Sequence, residues 1–424
     1  MIVKLPYGDD TTAVDLRGLR VRPLLPFAPR GASDPRQLVA RALENPLDGA
    51  PLRELAAGRR SAVVVVPDAT RRIGLPALLP AILDRLLLAG IAREAVTILL
   101  ACGTHPAAPE AAVAELVGEV PSGVGVRQHS SRDAAALTAV GELRPGLPLR
   151  LDAAAAAADL LITVGAVRHH YFAGFGGGPK MIFPGIAGHD EIQANHALVL
   201  RRTGAGLERH PGCEPGRLAG NPVAEEIARA ADLRPPDLAL CLVPGRDGGV
   251  AWAGAGGWRT AFSAAVERAR EWYELPPERF EMVVAAGGGR PADASLIQAH
   301  KGLDAACRFA APGAEVLFAA ELGQGPGSPA MAPFLDDPRP ETIAARLAED
   351  YVQYGHTTLR IVEKTSRYRV HLMSRLDPEL GRRLGFIPTD DLDEVAERWR
   401  NAAGGGRVGV LAEGPVWPRT QGPG

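Results

Sequence analysis

The sequence predicts an α/β protein of two domains with mainly parallel sheets. Short β-branched runs without a polar face alternate with segments of helical spacing, the arrangement of strands buried between helices. The alternation runs through two series separated by a stretch rich in Gly and Pro. A length of 424 residues also exceeds what one hydrophobic core usually organises.

In chain order, residues 61–66 (Ser-Ala-Val-Val-Val-Val) read as a central strand, because no position offers a polar face. Residues 76–89 have helical spacing, with Pro76 in the first turn and Gly90 as a stop. Val96–Ala101 is the next buried strand, which completes a βαβ unit, and 160–164 is another. The alanine run 153–158 is simpler as a helix than as a linker. Residues 211–257 are dense in Gly and Pro and weakly periodic, so irregular structure is expected there. A helix follows over 260–273, then a second series: strand 282–286, helix 294–309, strand 315–320, helix 341–348, strand 368–373, helix 392–401 and strand Arg407–Leu411. The domains are therefore placed at 1–270 and 271–424, with the tail 415–424 expected to fray.

Composition narrows the function. With 46% hydrophobic and 23% charged residues and a net charge of −2, the chain is globular and has no overall field for nucleic acid or anionic lipid. The start, MIVKLPYGDD, has no long apolar stretch, and no run of 18 uncharged apolar residues occurs, so a cytoplasmic protein with neither membrane nor nucleic-acid partner is expected. Cys102, Cys213, Cys241 and Cys307 are far apart, form no CxxC pair and are expected to be reduced and mostly buried. Only four of the 47 basic residues are lysines: Lys4, Lys180, Lys301 and Lys364. Lys4 and Lys364 have no motif around them and are expected at the surface.

In an open parallel sheet the ligand sits beyond the carboxyl ends of the strands. That edge is formed here by Asp68-Ala-Thr-Arg71, Gly103-Thr-His105 and residues 165–170. The stretch His169-His-Tyr-Phe-Ala-Gly-Phe-Gly-Gly-Gly-Pro-Lys180 follows. Gly176 and Gly177 can bring bare N–H groups to an anion such as phosphate. Lys180 is followed by Met181 rather than a hydroxyl residue, so a P-loop is excluded. A desolvated lysine on such a loop can serve as a covalent anchor, whereas a plain reading makes it a surface charge on a tight turn. Five of the ten histidines, His169, His170, His189, His196 and His210, fall within 42 residues, and His105 ends a neighbouring loop. Such clustering suggests proton transfer or metal ligation. No HExxH helix or carboxylate triad supports a metal held by protein groups alone.

The motifs Asp68-Ala-Thr-Arg71, Gly103-Thr-His105, His170-x9-Lys180 and His196, with Gln298-x2-Lys301 in the second domain, resemble the nickel-dependent lactate racemase family. The resemblance runs from about residue 68 to residue 301. It implies an active site in the cleft between the two domains. It also implies a nickel pincer nucleotide, the pyridinium-3-thioamide-5-thiocarboxylate mononucleotide with nickel, covalently attached through Lys180 and built by other enzymes. His196 would be the nickel ligand, and His105 and His170 the catalytic acid/base pair, with His169 competing for the second place. Asp68 and Thr70 would bind the nucleotide with Gly176 and Gly177, and Arg71, Gln298 and Lys301 would bind substrate. The implied reaction is racemisation or epimerisation of a small 2-hydroxy acid: a base takes the hydroxyl proton and the α-hydrogen leaves as hydride, giving a planar 2-keto acid that is reduced on either face. Two histidines then let either enantiomer start. Gln298 lies one helical turn before Lys301, on the same face.

Two features depart from the lactate-acting pattern. Ile297 stands where an aromatic is expected, and residues 351–359 lack a tryptophan. A longer, more apolar or more acidic 2-hydroxy acid is compatible with both, and the glycine-rich 323–328 is placed to shape that pocket. Two other classes remain open on the sequence: a nucleotide-binding carrier or regulatory module, which His105 and His170 argue against, and a zinc-type hydrolase, which the shortage of Asp and Glu beside the histidines disfavours.

Overall fold

A computed structural model describes residues 1–419 other than 70, 72, 205 and 403–405. The chain forms two compact units, one of Ala28–Val199 with Arg209–Trp272, the other of Met1–Phe27, Leu200–Glu208 and Tyr273–Gly424.

The first unit is built on a six-stranded sheet. Its spatial order is Val250–Gly256, Leu238–Pro244, Leu160–Ala166, Ala62–Pro67, Val96–Ala101, Gly125–Gln128. Only the Val250–Gly256 edge strand runs antiparallel to its neighbour. Every residue of Ala62–Pro67 is buried, as a strand covered on both faces requires. Val64 and Val65 are fully buried, each contributing about 1.5–3 kcal/mol relative to exposure. The helix Leu75–Leu88 packs its Leu78, Leu79, Ile82 and Leu86 into the same core. The short helix Ala153–Ala157 follows Asp152, whose carboxylate accepts from the N–H groups of Ala154 and Ala155.

Residues 211–257 correct the expectation of irregular structure. They hold the helix Pro222–Leu233 and the strands Leu238–Pro244 and Val250–Gly256. Here Pro and Gly act as punctuation. Pro222 sits in the first turn behind the Asn221 cap, and Gly245 to Gly249 close a tight hairpin through the Gly245 N–H to the Gly249 carbonyl, 2.7 Å.

The second unit has a six-stranded, all-parallel sheet in the order Ile387–Pro388, Arg369–Met373, Ala310–Ala319, Phe280–Ala286, Arg407–Leu411, Arg20–Pro23. The amino-terminal residues join this unit because Arg20–Pro23 pairs with Arg407–Leu411, a long-range contact that local periodicity does not encode. Two sequence expectations change here. Lys364 is not a surface residue: its side chain is 12% exposed and its ammonium lies 2.7 Å from buried Asp304. Asp304 also meets Arg360 at 3.2 Å and Arg308 at 3.3 Å, and these cations overcome burial to hold its carboxyl well below the usual range. The tail is not wholly frayed, since Trp417–Pro418 pairs with Glu274–Leu275; residues 420–424 lie outside the described residues. All four cysteines are buried and none is in a disulfide.

Candidate active site

The site of the first unit starts at the carboxyl ends of three adjacent strands. Ala62–Pro67 delivers Asp68, Val96–Ala101 delivers Cys102 to His105, and Leu160–Ala166 leads to His169 and His170. Register places these ends level, with Pro67 opposite Ala101.

His105 and Asp68 form a dyad. Asp68 Oδ2 lies 2.5 Å from His105 Nδ1, and the carboxylate is buried while the ring is 30% exposed. A carboxylate only accepts, so Nδ1 carries the proton and Nε2 presents a lone pair. The expectation that Asp68 serves a nucleotide missed this pairing; the signal was a buried acid on one strand end and a histidine on the next. Arg71 is exposed, and its N–H closes a turn on the Asp68 carbonyl at 3.0 Å. Thr70 lies outside the described residues.

The glycine loop folds back over the strand that precedes it. Gly177 has φ +68° and Gly178 φ +50°. A Cβ on Gly177 would meet the Ala166 carbonyl oxygen at 2.5 Å, and one on Gly178 the Phe262 ring at 2.2 Å. Both glycines are thus required by backbone conformation and close approach. The Gly176 N–H is bonded to the Arg168 carbonyl at 2.7 Å, so it holds the turn rather than facing an anion. The turn places Lys180 on the short helix Gly178–Met181, half-buried. Its carbonyl accepts from the Gly185 N–H at 3.0 Å, and the Gly185 carbonyl accepts from the Gly103 N–H at 2.9 Å. The lysine loop is thereby tied to the loop bearing His105.

Lys180 Nζ lies 3.3 Å from His170 Nε2 and 5.5 Å from the centroid of Phe172. His169 packs its ring against Phe175, tilted by 47° with centroids 4.6 Å apart, its partner in the short ladder. His170 Nδ1 accepts from the Ala173 N–H at 3.2 Å, and Nε2 is the ring nitrogen that faces the lysine. The Phe172 ring, buried, stands edge-on to His170 at 4.6 Å and to His196 at 5.2 Å. Sequence reading passed over Phe172, which is the apolar wall shared by the lysine and both imidazoles.

His196 ends the helix His189–His196 and is buried. Its Nδ1–H donates to the Ile192 carbonyl one turn back, 2.7 Å, which leaves Nε2 as a bare donor atom. Burial, reinforced by nearby Lys180 and His105, pushes this imidazole down to about 3. It stays unprotonated at any physiological pH, the state a metal ligand needs. Among the described residues no group of three or more His, Cys, Asp or Glu is placed to hold a metal ion. A metal that brings its own donors and takes one imidazole fits this arrangement. His189 bonds with Arg132 at 2.6 Å and lies outside the cluster.

The second unit places Gln298 and Lys301 on one face of the helix Leu296–Phe309, Lys301 Nζ donating to Gln298 Oε1 at 2.7 Å. Both are half-buried.

A family model for the lactate racemase N-terminal domain matches residues 7–208. A lactate racemase of Lactiplantibacillus plantarum is 25% identical over 398 residues, 89% of each chain. One from Thermoanaerobacterium thermosaccharolyticum is 29% identical over 329 residues, 77% of this chain and 75% of that one. The lactate racemase apoprotein structure from the latter organism superposes with a TM-score of 0.88 at 25% identity, covering 99% of this chain and 100% of its own. The chain is thus similar to lactate racemases, which are isomerases, over most of its length. A Thermotoga maritima protein shares the fold at a TM-score of 0.67 and 16% identity, covering 91% of this chain. No helix among the described residues is long and apolar enough to cross a membrane.

Proposed function

We propose that this protein interconverts the enantiomers of a small 2-hydroxy acid, lactate or a close relative, using a nickel pincer nucleotide attached through Lys180. The observation that carries the reading is the gathering of Lys180, His170 and His196 around one phenyl ring, with the His105–Asp68 dyad tied to the same loop. The residues fit the group: Lys180 offers an amine and His196 Nε2 a bare lone pair for nickel. When bound, the nucleotide supplies the acceptor and donor of the substrate's α-hydrogen as hydride.

The chain's own residues handle the proton. His105 presents a bare Nε2, fixed by the Asp68 carboxylate on the far side of the ring, and takes the hydroxyl proton of one enantiomer. Asp68 then stabilises the imidazolium that forms. His170 acts in the complementary sense: with a proton on Nε2 it returns that proton to the carbonyl oxygen of the planar 2-keto acid. The opposite enantiomer exchanges the two roles. Arg71 is a carboxylate fork for the substrate.

The test is a chiral assay over a panel of 2-hydroxy acids, on protein made together with cofactor-building enzymes. Intact mass should show a nucleotide adduct that the Lys180→Ala variant lacks. Racemisation in D2O should give product without α-deuterium, because hydride returns without meeting solvent. Solvent deuterium at the α-carbon would mean that the histidines act on carbon and would refute the hydride route.

A further inference from the structure

Outside the site, the first unit buries a histidine and a carboxylate whose facing atoms have no other partner. His129 follows the strand Gly125–Gln128 and its side chain is fully buried; Asp152, at the end of the strand Leu147–Asp152, is 1% exposed. His129 Nε2 lies 2.9 Å from the Ala187 carbonyl oxygen, and Nδ1 lies 3.7 Å from Asp152 Oδ2. Neither Nδ1 nor Oδ2 has a hydrogen-bond partner. A carbonyl only accepts, so Nε2 carries a proton. In a neutral ring Nδ1 would then aim a lone pair at a carboxylate oxygen, leaving two buried acceptors face to face, each at a cost of about 1–3 kcal/mol. One proton on Nδ1 removes that repulsion and makes the 3.7 Å contact an ion pair. Burial pushes the Asp152 carboxyl up, but His129 and Arg127, the latter 2.7 Å from Oδ1, outweigh it and bring it down to about 2, so the carboxylate is ionised.

We propose that His129 is a positioning residue held as an imidazolium, bridging Asp152 and Ala187 so as to clamp the segment that joins Lys180 to His196. That segment is pinned from one side. The Asp152 N–H donates to the Ile186 carbonyl at 2.8 Å, the Gly188 N–H to Arg150 at 3.0 Å, the His189 N–H to Ser131 at 2.9 Å, and His129 grips Ala187 between them. The remaining polar neighbours leave the charge in place. Arg127 on the same strand is committed to Asp152, Arg150 to Glu191 and Asp190, and Arg132 to His189. Cys102, behind the His129 backbone, is a neutral thiol pushed up to about 11 by burial and Asp68. Losing the Nδ1 proton would leave Nε2–H on Ala187 but turn the contact with Asp152 from attractive to repulsive, loosening the floor under both the anchor lysine and His196.

The link to Lys180 and His196 rests on the functional reading above, whereas the bridge itself does not. The experiment uses full-length protein without cofactor, labelled with 15N-histidine, in long-range 15N–1H correlation spectra at about pH 7.5, roughly one unit above the ordinary histidine value, where an unheld ring has one bare nitrogen. His129, assigned by its loss in His129→Gln, should show two protonated nitrogens while buried His196 and His300 each keep one bare nitrogen. In Asp152→Asn, whose side-chain oxygen can still cap the following helix, His129 should revert to one bare nitrogen. Amide exchange over residues 182–190 should accelerate at least several-fold in His129→Gln, with Leu238–Pro244 unchanged. A bare nitrogen on His129 in the wild-type protein overturns the proposal even if the Asp152 variant fails to fold. Two protonated nitrogens in Asp152→Asn, or unaltered exchange in His129→Gln, overturn it as well. Intact mass of loaded protein reports separately on Lys180.

Discussion

Replacing Asp68 with Asn tests the dyad where its two possible roles give different answers. The carboxylate is buried and 2.5 Å from His105 Nδ1, so it fixes both the tautomer and the charge beside the base. The variant keeps the shape and removes the charge, and it lets the amide present its NH2 group to Nδ1, which would move the ring proton to Nε2 and disarm the base. Loss of a correctly presented base costs about 10²–10⁴ in rate, and the tautomer error alone reaches about 10⁴ in the serine-protease triad. We therefore expect kcat to fall by at least about 10², with KM changed little, because Asp68 does not face bulk substrate. The assay is chiral separation of product from each enantiomer. Since the enantiomers of a simple 2-hydroxy acid have equal free energy, kcat/KM must drop equally in both directions, which serves as an internal check. Intact mass should show the nucleotide adduct retained. Activity within about threefold of wild type would refute the dyad, as a rate effect that small lies far below what a general base supplies. Loss of the adduct together with the activity would return Asp68 to a nucleotide-binding role.

Four further outcomes follow from the same geometry. Gly176→Ala should be nearly silent, its Cβ meeting nothing closer than 3.8 Å, whereas Gly177→Ala, at φ +68° with a carbonyl 2.5 Å away, should cost about 1–3 kcal/mol or more and lower the yield of adduct; equal urea midpoints would contradict the packing argument. Phe172→Ala removes the wall common to His170, His196 and Lys180 and should destabilise by about 3–5 kcal/mol, with Phe172→Leu recovering most of it in thermal melts. Asp304→Ala strands three cations around a buried position and should cost about 3–5 kcal/mol by chemical denaturation. His196 and His300 are both pushed down to about 3, mainly by burial. The unfolded chain takes up their protons near 6.5 and the folded chain refuses them, so stability should fall as pH drops below 6.5, by about 1.4 kcal/mol per unit for each group. His300→Leu should flatten that slope by one proton's share, and an unchanged slope would count against it.

What could be read from the sequence was whatever local pattern encodes. Ala62–Pro67 and Val96–Ala101 are runs with no polar face, and the helix Leu75–Leu88 carries its own start and stop, so the first βαβ unit was legible nearly to the residue. The strands Leu238–Pro244 and Val250–Gly256 were equally apolar but hidden by the glycines of the hairpin joining them, which were read as irregularity instead of a turn. The pairing of Arg20–Pro23 with Arg407–Leu411 joins positions nearly four hundred residues apart and leaves no local trace. At the site, the spacing of His170 and Lys180 marked the loop, but not that Asp68 would orient His105 or that Phe172 would separate the imidazoles. Both depend on which strand ends are neighbours. Lys364 was misread because a lysine needs a reason to be buried, and that reason, Asp304, lies sixty residues away on another helix.

The histidines of the first unit show how one fold can keep the same side chain in different protonation states for different work. His196 gives its Nδ1 proton to a backbone carbonyl, which attracts a proton too weakly to offset burial, so the ring is held neutral with a bare nitrogen toward the lysine and phenylalanine. His105 gives the same proton to a carboxylate, so an added charge on its outer nitrogen is balanced at once. His170 accepts a backbone N–H at Nδ1 and turns Nε2 toward Lys180. In the roles proposed for them, a ligand must not protonate and a base must tolerate protonation, which the carbonyl behind His196 and the carboxylate behind His105 favour. Exchanging either partner should alter the role of its histidine more than the stability of the fold.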